Sequence, residues 1–322
     1  MEKYSKWRDP GTGIAPFLPI VPPKIDKRGS FTVYLFIKRF ILGPLLAILR
    51  TPLLLVTGLI AFAVYGLGIV TPGSFIEGWL LAGVLRLGLF IAGFYWIPMK
   101  PGSLKRGLQS SSSSSPRDGD VIFCNSSSYI DIFILQIKFN PIFTMVHPET
   151  GKVREASIAC LLKSYASVSP SDEEAFQEHT LASFSKICAK EKRGPVVVFF
   201  EGTPTNGRGL LSPVAGLFER FSSSFFLVHI RYPSVHFSPT FPVGSMFWHI
   251  LGICSQINNS AVLRIVSSPE VQCNLKPNEP MANQMVSLFA RMSGLRSMSL
   301  NIKDKCSFVE YYYSNSSPKK AQ

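Results

Sequence analysis

Charge is what this sequence has least of. Lys, Arg, Asp and Glu make up 16% of its 322 residues, against about 25% in an average soluble domain. Negative charge is the scarcer sign, with 20 Asp and Glu facing 33 Lys and Arg for a formal balance of +13. So little charge excludes a disordered chain or a coiled coil and argues against an ordinary soluble enzyme. Histidine is rare, five in all, and Cys124, Cys160, Cys188, Cys254, Cys273 and Cys306 form no Cys-x-x-Cys pair. Their irregular spacing offers no zinc site and fits reduced cytosolic thiols. The first long apolar run begins only after residue 39, so a secretory signal peptide is not expected. The excess of positive charge is spread over the flanks of apolar runs rather than interleaved with aromatics on one motif, which speaks against a nucleic-acid binder.

What the chain does have is apolar sequence gathered in one place. Residues 51–76 carry no charge, and residues 79–99 carry only Arg86. About 20 apolar residues cross the hydrocarbon of a bilayer. The two runs read as a membrane helical hairpin turning at Pro72-Gly73-Ser74, with Trp79, Tyr95 and Trp96 as interfacial aromatics. Lys38, Arg39 and Arg50 precede it and Lys100, Lys105 and Arg106 follow it, which places both ends in the cytosol. A hairpin that spans and one that enters and leaves a single leaflet both fit; a buried core hairpin is the plainer alternative. With that topology Asn125, Asn258 and Asn315, each in an Asn-x-Ser pattern, stay unmodified. The terminal Lys319-Lys320-Ala321-Gln322 is similar to a dilysine retrieval signal of the endoplasmic reticulum.

The chain accordingly divides into a basic cytosolic segment (1–39), the hairpin (40–100), a Ser-rich linker (101–120), a folded domain (121–310) and a tail (311–322). Val121–Cys124 reads as a short buried strand and Ile130–Phe139 as an apolar element after it. From Ser171 a cap candidate, early acids, apolar Phe176, Leu181, Phe184 and Ile187, late basic residues and Gly194 predict a helix. Residues 196–200, 225–230 and 261–266 are continuous β-branched and aromatic runs, the composition of strands covered on both faces. Helices alternating with such strands predict an α/β sheet, whose ligand sites lie at strand carboxyl ends.

Two loops at such ends stand out. One reads Asn125-Ser126-Ser127-Ser128-Tyr129-Ile130-Asp131; the other reads Glu201-Gly202-Thr203-Pro204-Thr205-Asn206-Gly207-Arg208-Gly209. Here the sequence resembles the membrane glycerolipid acyltransferases, which share a His-x4-Asp motif and a Phe-Pro-Glu-Gly-Thr motif. Phe200 stands at the Pro of the second motif and Phe199 at its Phe. Thr205-Asn206, Gly216-Leu217-Phe218 and the strand ending Arg231-Tyr232-Pro233 are similar to the branch that acylates lysophospholipids, 1-acylglycerol-3-phosphate acyltransferases above all. Asp131 matches the first motif, but Ser126 stands in place of its His, a position where a fungal branch of the family also lacks His.

The resemblance implies a mixed sheet flanked by helices behind the N-terminal hairpin, and transfer of an acyl chain from acyl-CoA to lysophosphatidic acid. It implies no metal and no cofactor beyond acyl-CoA as co-substrate, with membrane lipids and lysophospholipid as partners and no nucleic acid. The location implied is the endoplasmic reticulum membrane or lipid droplet, with the domain facing the cytosol. Ser126 and Asp131 would sit at the catalytic position. Glu201 and Gly202 would shape the glycerophosphate pocket, with Thr203 donating to it and Arg208 and Arg231 contacting the phosphate. A serine cannot replace histidine as general base, which leaves His147 or His229 as substitutes, and Arg154 or Lys163 for a family arginine without a counterpart. Cys124 reads as a small buried residue rather than a nucleophile. The rival reading is a non-catalytic protein of the same fold that binds lipid or supports trafficking.

Overall fold

Short apolar strands, buried on both faces, form the centre of the molecule. The computed structural model describes residues 4–21, 36–70, 75–102, 104, 115–166, 178–218, 224–233, 237–275 and 279–316. Pro72-Gly73-Ser74, most of the serine run, Ser171 and the terminal lysines lie outside the described residues. One sheet contains β1 (Met99–Pro101), β2 (Val121–Cys124), β3 (Ile142–Val146), β4 (Val153–Glu155), β5 (Val196–Phe199), β7 (Phe225–Arg231) and β8 (Val262–Val266), in the order β1-β8-β7-β2-β5-β3-β4. Strands β6 (Gly209–Leu210) and β9 (Arg296–Ser297) pair separately. The four central strands β7, β2, β5 and β3 run parallel, while β4 and β8 are antiparallel to their neighbours β3 and β7. The molecule is therefore α/β, as the alternation of helices and strands predicts, and its sheet is mixed, as the family resemblance implies.

Ile122, Cys124, Val197, Phe199, Phe226 and Val228 bury on one face with α3 (Ile130–Phe139) and α4 (Ile158–Ala166). Val121, Phe123, Val196, Val198, Phe225 and Leu227 bury on the other with α5 (Leu181–Glu191) and α8 (Met281–Ser293). Because both faces are covered, the strand sequences are continuously apolar instead of alternating. Cys124 lies opposite Phe199 on one side and Val228 on the other. The carboxyl ends of β2, β5 and β7 thus open onto one edge.

Residues 171–177 of the helix predicted from Ser171 lie outside the described residues; its described part is helical from Leu181 to Glu191. Thr180 is its cap, accepting from the Ser183 amide, and His179 just before it bridges to Val153. That bridge commits the backbone at 179 to an extended form, so the helix cannot start earlier. Strand β1 pairs with β8 ahead of the serine run, so the sheet takes an edge strand from residues at the end of the second apolar run.

That run and the one before it form α1 (Gly43–Val70) and α2 (Phe75–Ile91), which pack side by side. A Cβ on Gly88 would lie 3.6 Å from Thr57 Oγ1, showing how close the helices come. Residues 40–68 are long and apolar enough to cross a membrane by length and composition; α2 is apolar but shorter. Leu45, Ile48, Leu55, Leu59 and Phe62 of α1 are exposed, the opposite of a buried core helix. Arg86 folds back to donate to the Phe94 and Tyr95 carbonyls, so its charge serves the carboxyl end of its own helix.

Residues 4–21 are not a loose tail. Trp7 and Phe17 bury against Leu211, Met298 and Phe308, the last from α9 (Ile302–Ser316).

Candidate functional site

The loop after β2 turns into α3 through its own acid. Asp131, in the first turn, accepts from the Ser127 and Ser128 amides at 2.8 and 2.9 Å with Oδ2. This satisfies backbone donors that a helix start leaves without partners. Its Oδ1 accepts from the Tyr232 hydroxyl at 2.5 Å. Tyr232 lies just past β7, held at this edge because Asn125 grips the amide and carbonyl of Ile230. Burial pushes Asp131 up to about 7, against the opposite pull of Tyr232 and the two amides.

The second loop lies directly on the first. Glu201 is buried and both its oxygens are used, Oε2 accepting from the Ser126 amide at 3.1 Å and Oε1 from the Leu211 amide at 2.9 Å. Burial pushes Glu201 up to about 8, and the Asp131 carboxylate adds to the rise. The Thr205 amide donates to the Ser126 carbonyl at 2.9 Å, and a Cβ on Gly207 would stand 3.3 Å from Ser127 Oγ. Gly202 has φ +67°, and a Cβ there would meet Val214 at 2.9 Å, so no other residue fits the turn without strain. Thr203 is buried. Arg208 and Arg231 are exposed at the same edge of the sheet.

The structure thus brings Ser126, Asp131, Glu201 and Gly202 into one unit; Arg208 and Arg231 are exposed, and Arg231 lies close enough to His229 to help lower its basicity. Glu201 acts as a brace between the loops, since neither carboxylate oxygen is left without a donor. Two partners escaped the sequence reading. Tyr232 was visible only as part of a strand ending, without a role. Tyr165, near the end of α4, places its hydroxyl 2.5 Å from Ser126 Oγ, a contact 39 residues away in sequence that no spacing rule reveals.

The substitute bases do not join this unit. His147 Nδ1 accepts from the Glu149 and Thr150 amides in the turn after β3. His229 points to the face of Phe225 and Leu227, opposite that of Tyr232, and burial lowers it to about 4. Arg154 sits on β4 and Lys163 on α4. Burial, with Asp131 and Glu201 nearby, holds the Cys124 thiol protonated, which removes it as a nucleophile. Among the described residues, no three His, Cys, Asp or Glu side chains gather as a metal-ligand set. A cavity of about 290 Å³ beside α3, lined by Arg86, Trp96, Met99 and Lys138 among others, contains none of the site residues.

No family model matches the chain, and no solved structure matches it. It is 28% identical over 319 residues to a Schizosaccharomyces pombe protein provisionally named a lysophosphatidic acid:oleoyl-CoA acyltransferase, covering 96% of this chain and 98% of that protein. A Saccharomyces cerevisiae protein named lysophosphatidic acid:oleoyl-CoA acyltransferase 1 is 28% identical over 218 residues, 66% of this chain and 60% of its own. This chain is similar to fungal proteins named as lysophosphatidic acid:oleoyl-CoA acyltransferases, over nearly its whole length in the first case.

Proposed function

We propose that this chain is an acyl-CoA-dependent acyltransferase that converts lysophosphatidic acid to phosphatidic acid at a membrane. The observation that carries the reading is the docking of the Ser126–Asp131 loop onto the Glu201–Thr205 loop in a chain similar end to end to a named acyltransferase. In the reaction the acceptor hydroxyl oxygen bonds to the thioester carbon, the carbon–sulfur bond breaks, and the hydroxyl proton passes through the base to the departing CoA thiolate. We assign the base to Asp131; both its oxygens already accept hydrogen bonds, so its reach to the acceptor proton runs through the Tyr232 hydroxyl held on Oδ1. Burial places its basicity near neutral pH, where a general base works best, and no histidine adjoins it. Ser126 and Tyr165 orient the acceptor hydroxyl, Gly202 and Thr203 line the pocket, and Arg208 and Arg231 attract the phosphate. Helices α1 and α2 are a membrane hairpin that keeps the site beside its lipid substrate, at the endoplasmic reticulum or lipid droplet surface.

Membranes carrying the protein, supplied with lysophosphatidic acid and oleoyl-CoA, are expected to form phosphatidic acid. Asp131→Asn is expected to slow this by about 10² to 10⁴. The rate of the unaltered protein is expected to rise between pH 6 and pH 8 as Asp131 loses its proton, a limb that Asp131→Asn abolishes. Ser126 in place of histidine favours a second reading, a lipid-binding protein without catalysis. Equal background rates from the protein, Asp131→Asn and Glu201→Ala would establish it.

A further inference from the structure

Helix α6 (Met246–Cys254) contains no charged residue and turns two large rings outward. Phe247 is 60% and Trp248 70% exposed, packed edge to face on each other at 5.4 Å. Leaving two such rings in water forfeits the transfer free energy that burial of their apolar area would return. An aromatic pair so placed marks an interaction surface.

What covers it follows from where α6 is fixed. Its carboxyl end is locked to both apolar helices. Gly43 of α1 approaches the Ser255 carbonyl so closely that a Cβ would lie 3.5 Å from it. Arg50 of α1 donates to the carbonyls of Cys254, Gln256 and Ile257 and, at 2.6 Å, to the Tyr95 hydroxyl. Asn259 donates to the Ala92 carbonyl just past α2 at 2.7 Å and to that of Ile253 at 3.0 Å. Helix α6 packs along α1, where Ile48 and Leu49 are also exposed. At the carboxyl end of α6, Arg50 and Tyr95 are a cation and an aromatic of the kind that sit where hydrocarbon gives way to headgroups. On its inner side the helix carries His249, whose Nδ1 lies 3.0 Å from the Tyr129 hydroxyl and whose ring packs on Phe237 and Phe241. Tyr129 is the residue before α3, two before Asp131.

We propose that α6 is a lipid-docking element: Phe247 and Trp248 enter the headgroup–acyl boundary beside α1, and through His249 and Tyr129 the helix seats the Asp131 loop against the bilayer. This rests on reading α1 and α2 as membrane-embedded, and the test separates the two. The full chain is placed in phosphatidylcholine vesicles whose acyl chains are brominated near the headgroup, and its tryptophan emission is compared with that of Trp248→Phe and Trp79→Phe. The difference signal of Trp248 is expected to fall at least twofold with bromine and to resist aqueous iodide. A Trp248 signal untouched by bromine overturns the proposal, whether iodide quenches it, as for a ring in water, or does not, as for a ring buried against a second copy. A Trp79 signal untouched by bromine overturns the membrane reading of α2 instead.

Discussion

At position 126 a hydroxyl stands where the related motif has an imidazole, and its partner is another hydroxyl. Burial pushes the Tyr165 phenol well above its ordinary value, so the Ser126–Tyr165 pair stays neutral and orients without carrying charge. Tyr165→Phe removes one neutral hydrogen bond, worth about 1 kcal/mol. It is expected to lower kcat about fivefold while leaving the KM for oleoyl-CoA unchanged, as read by steady-state kinetics. An unchanged kcat would take Tyr165 out of the site. Asp131 carries the charge that the pair lacks. Because folding raises it to about 7, the folded state keeps a proton that the unfolded state releases, and its contribution to stability falls as pH rises from about 4 to 7. That is the cost of holding a basic carboxylate in an apolar place.

Among the elements, α9 holds an unusual group. Lys305 is buried, its ammonium donating to the Pro242 carbonyl and lying 5.1 Å from the Phe17 ring centre and 5.8 Å from that of Phe308. Burial lowers it to about 7. The unfolded chain binds this proton more tightly, so the group's contribution to stability increases as pH rises from about 7 to 10. Lys305→Met is therefore expected to stabilise the fold by about 1 kcal/mol near pH 6, with the gain shrinking toward pH 9.5 in thermal melts. A gain of equal size at both pH values would rule out a lowered Lys305 and show that it keeps its proton in that core throughout. The same scale shows where sequence patterns mislead. The acids and apolar spacing after Ser171 predict one helix through residue 193, but the pairing of His179 with Val153 interrupts it ahead of the helix that starts at Leu181. Only the fold brings those two residues together.

Across the whole molecule, the amino-terminal segment straps the site. The Asn206 side chain donates to the Ala15 and Leu18 carbonyls at 2.8 and 2.9 Å, and its amide donates to that of Pro16 at 2.8 Å. Asn206 belongs to the loop that touches Ser126, so residues 4–21 and the site edge share one network. Asn206→Ala loses two of these bonds, about 1 kcal/mol each. Hydrogen exchange over residues 4–21 is expected to speed up about tenfold or more, with a fall in activity. Unchanged exchange would show that Trp7 and Phe17 alone hold the strap.

Local composition by itself determined the strands, because an apolar run of four to seven residues has few other places to go than a sheet covered on both faces. It also determined the apolar helices and the two loops, whose residue types carry their chemistry wherever they sit. Tertiary structure alone decided the partners. Tyr165 and Tyr232 reach Ser126 and Asp131 from 39 and 101 positions away, and the outward aromatics of α6 gain meaning only from Arg50, about 200 positions earlier. Such contacts leave no periodic trace in the sequence, since they depend on which strand ends meet at one edge of the sheet and on which helix α6 comes to rest.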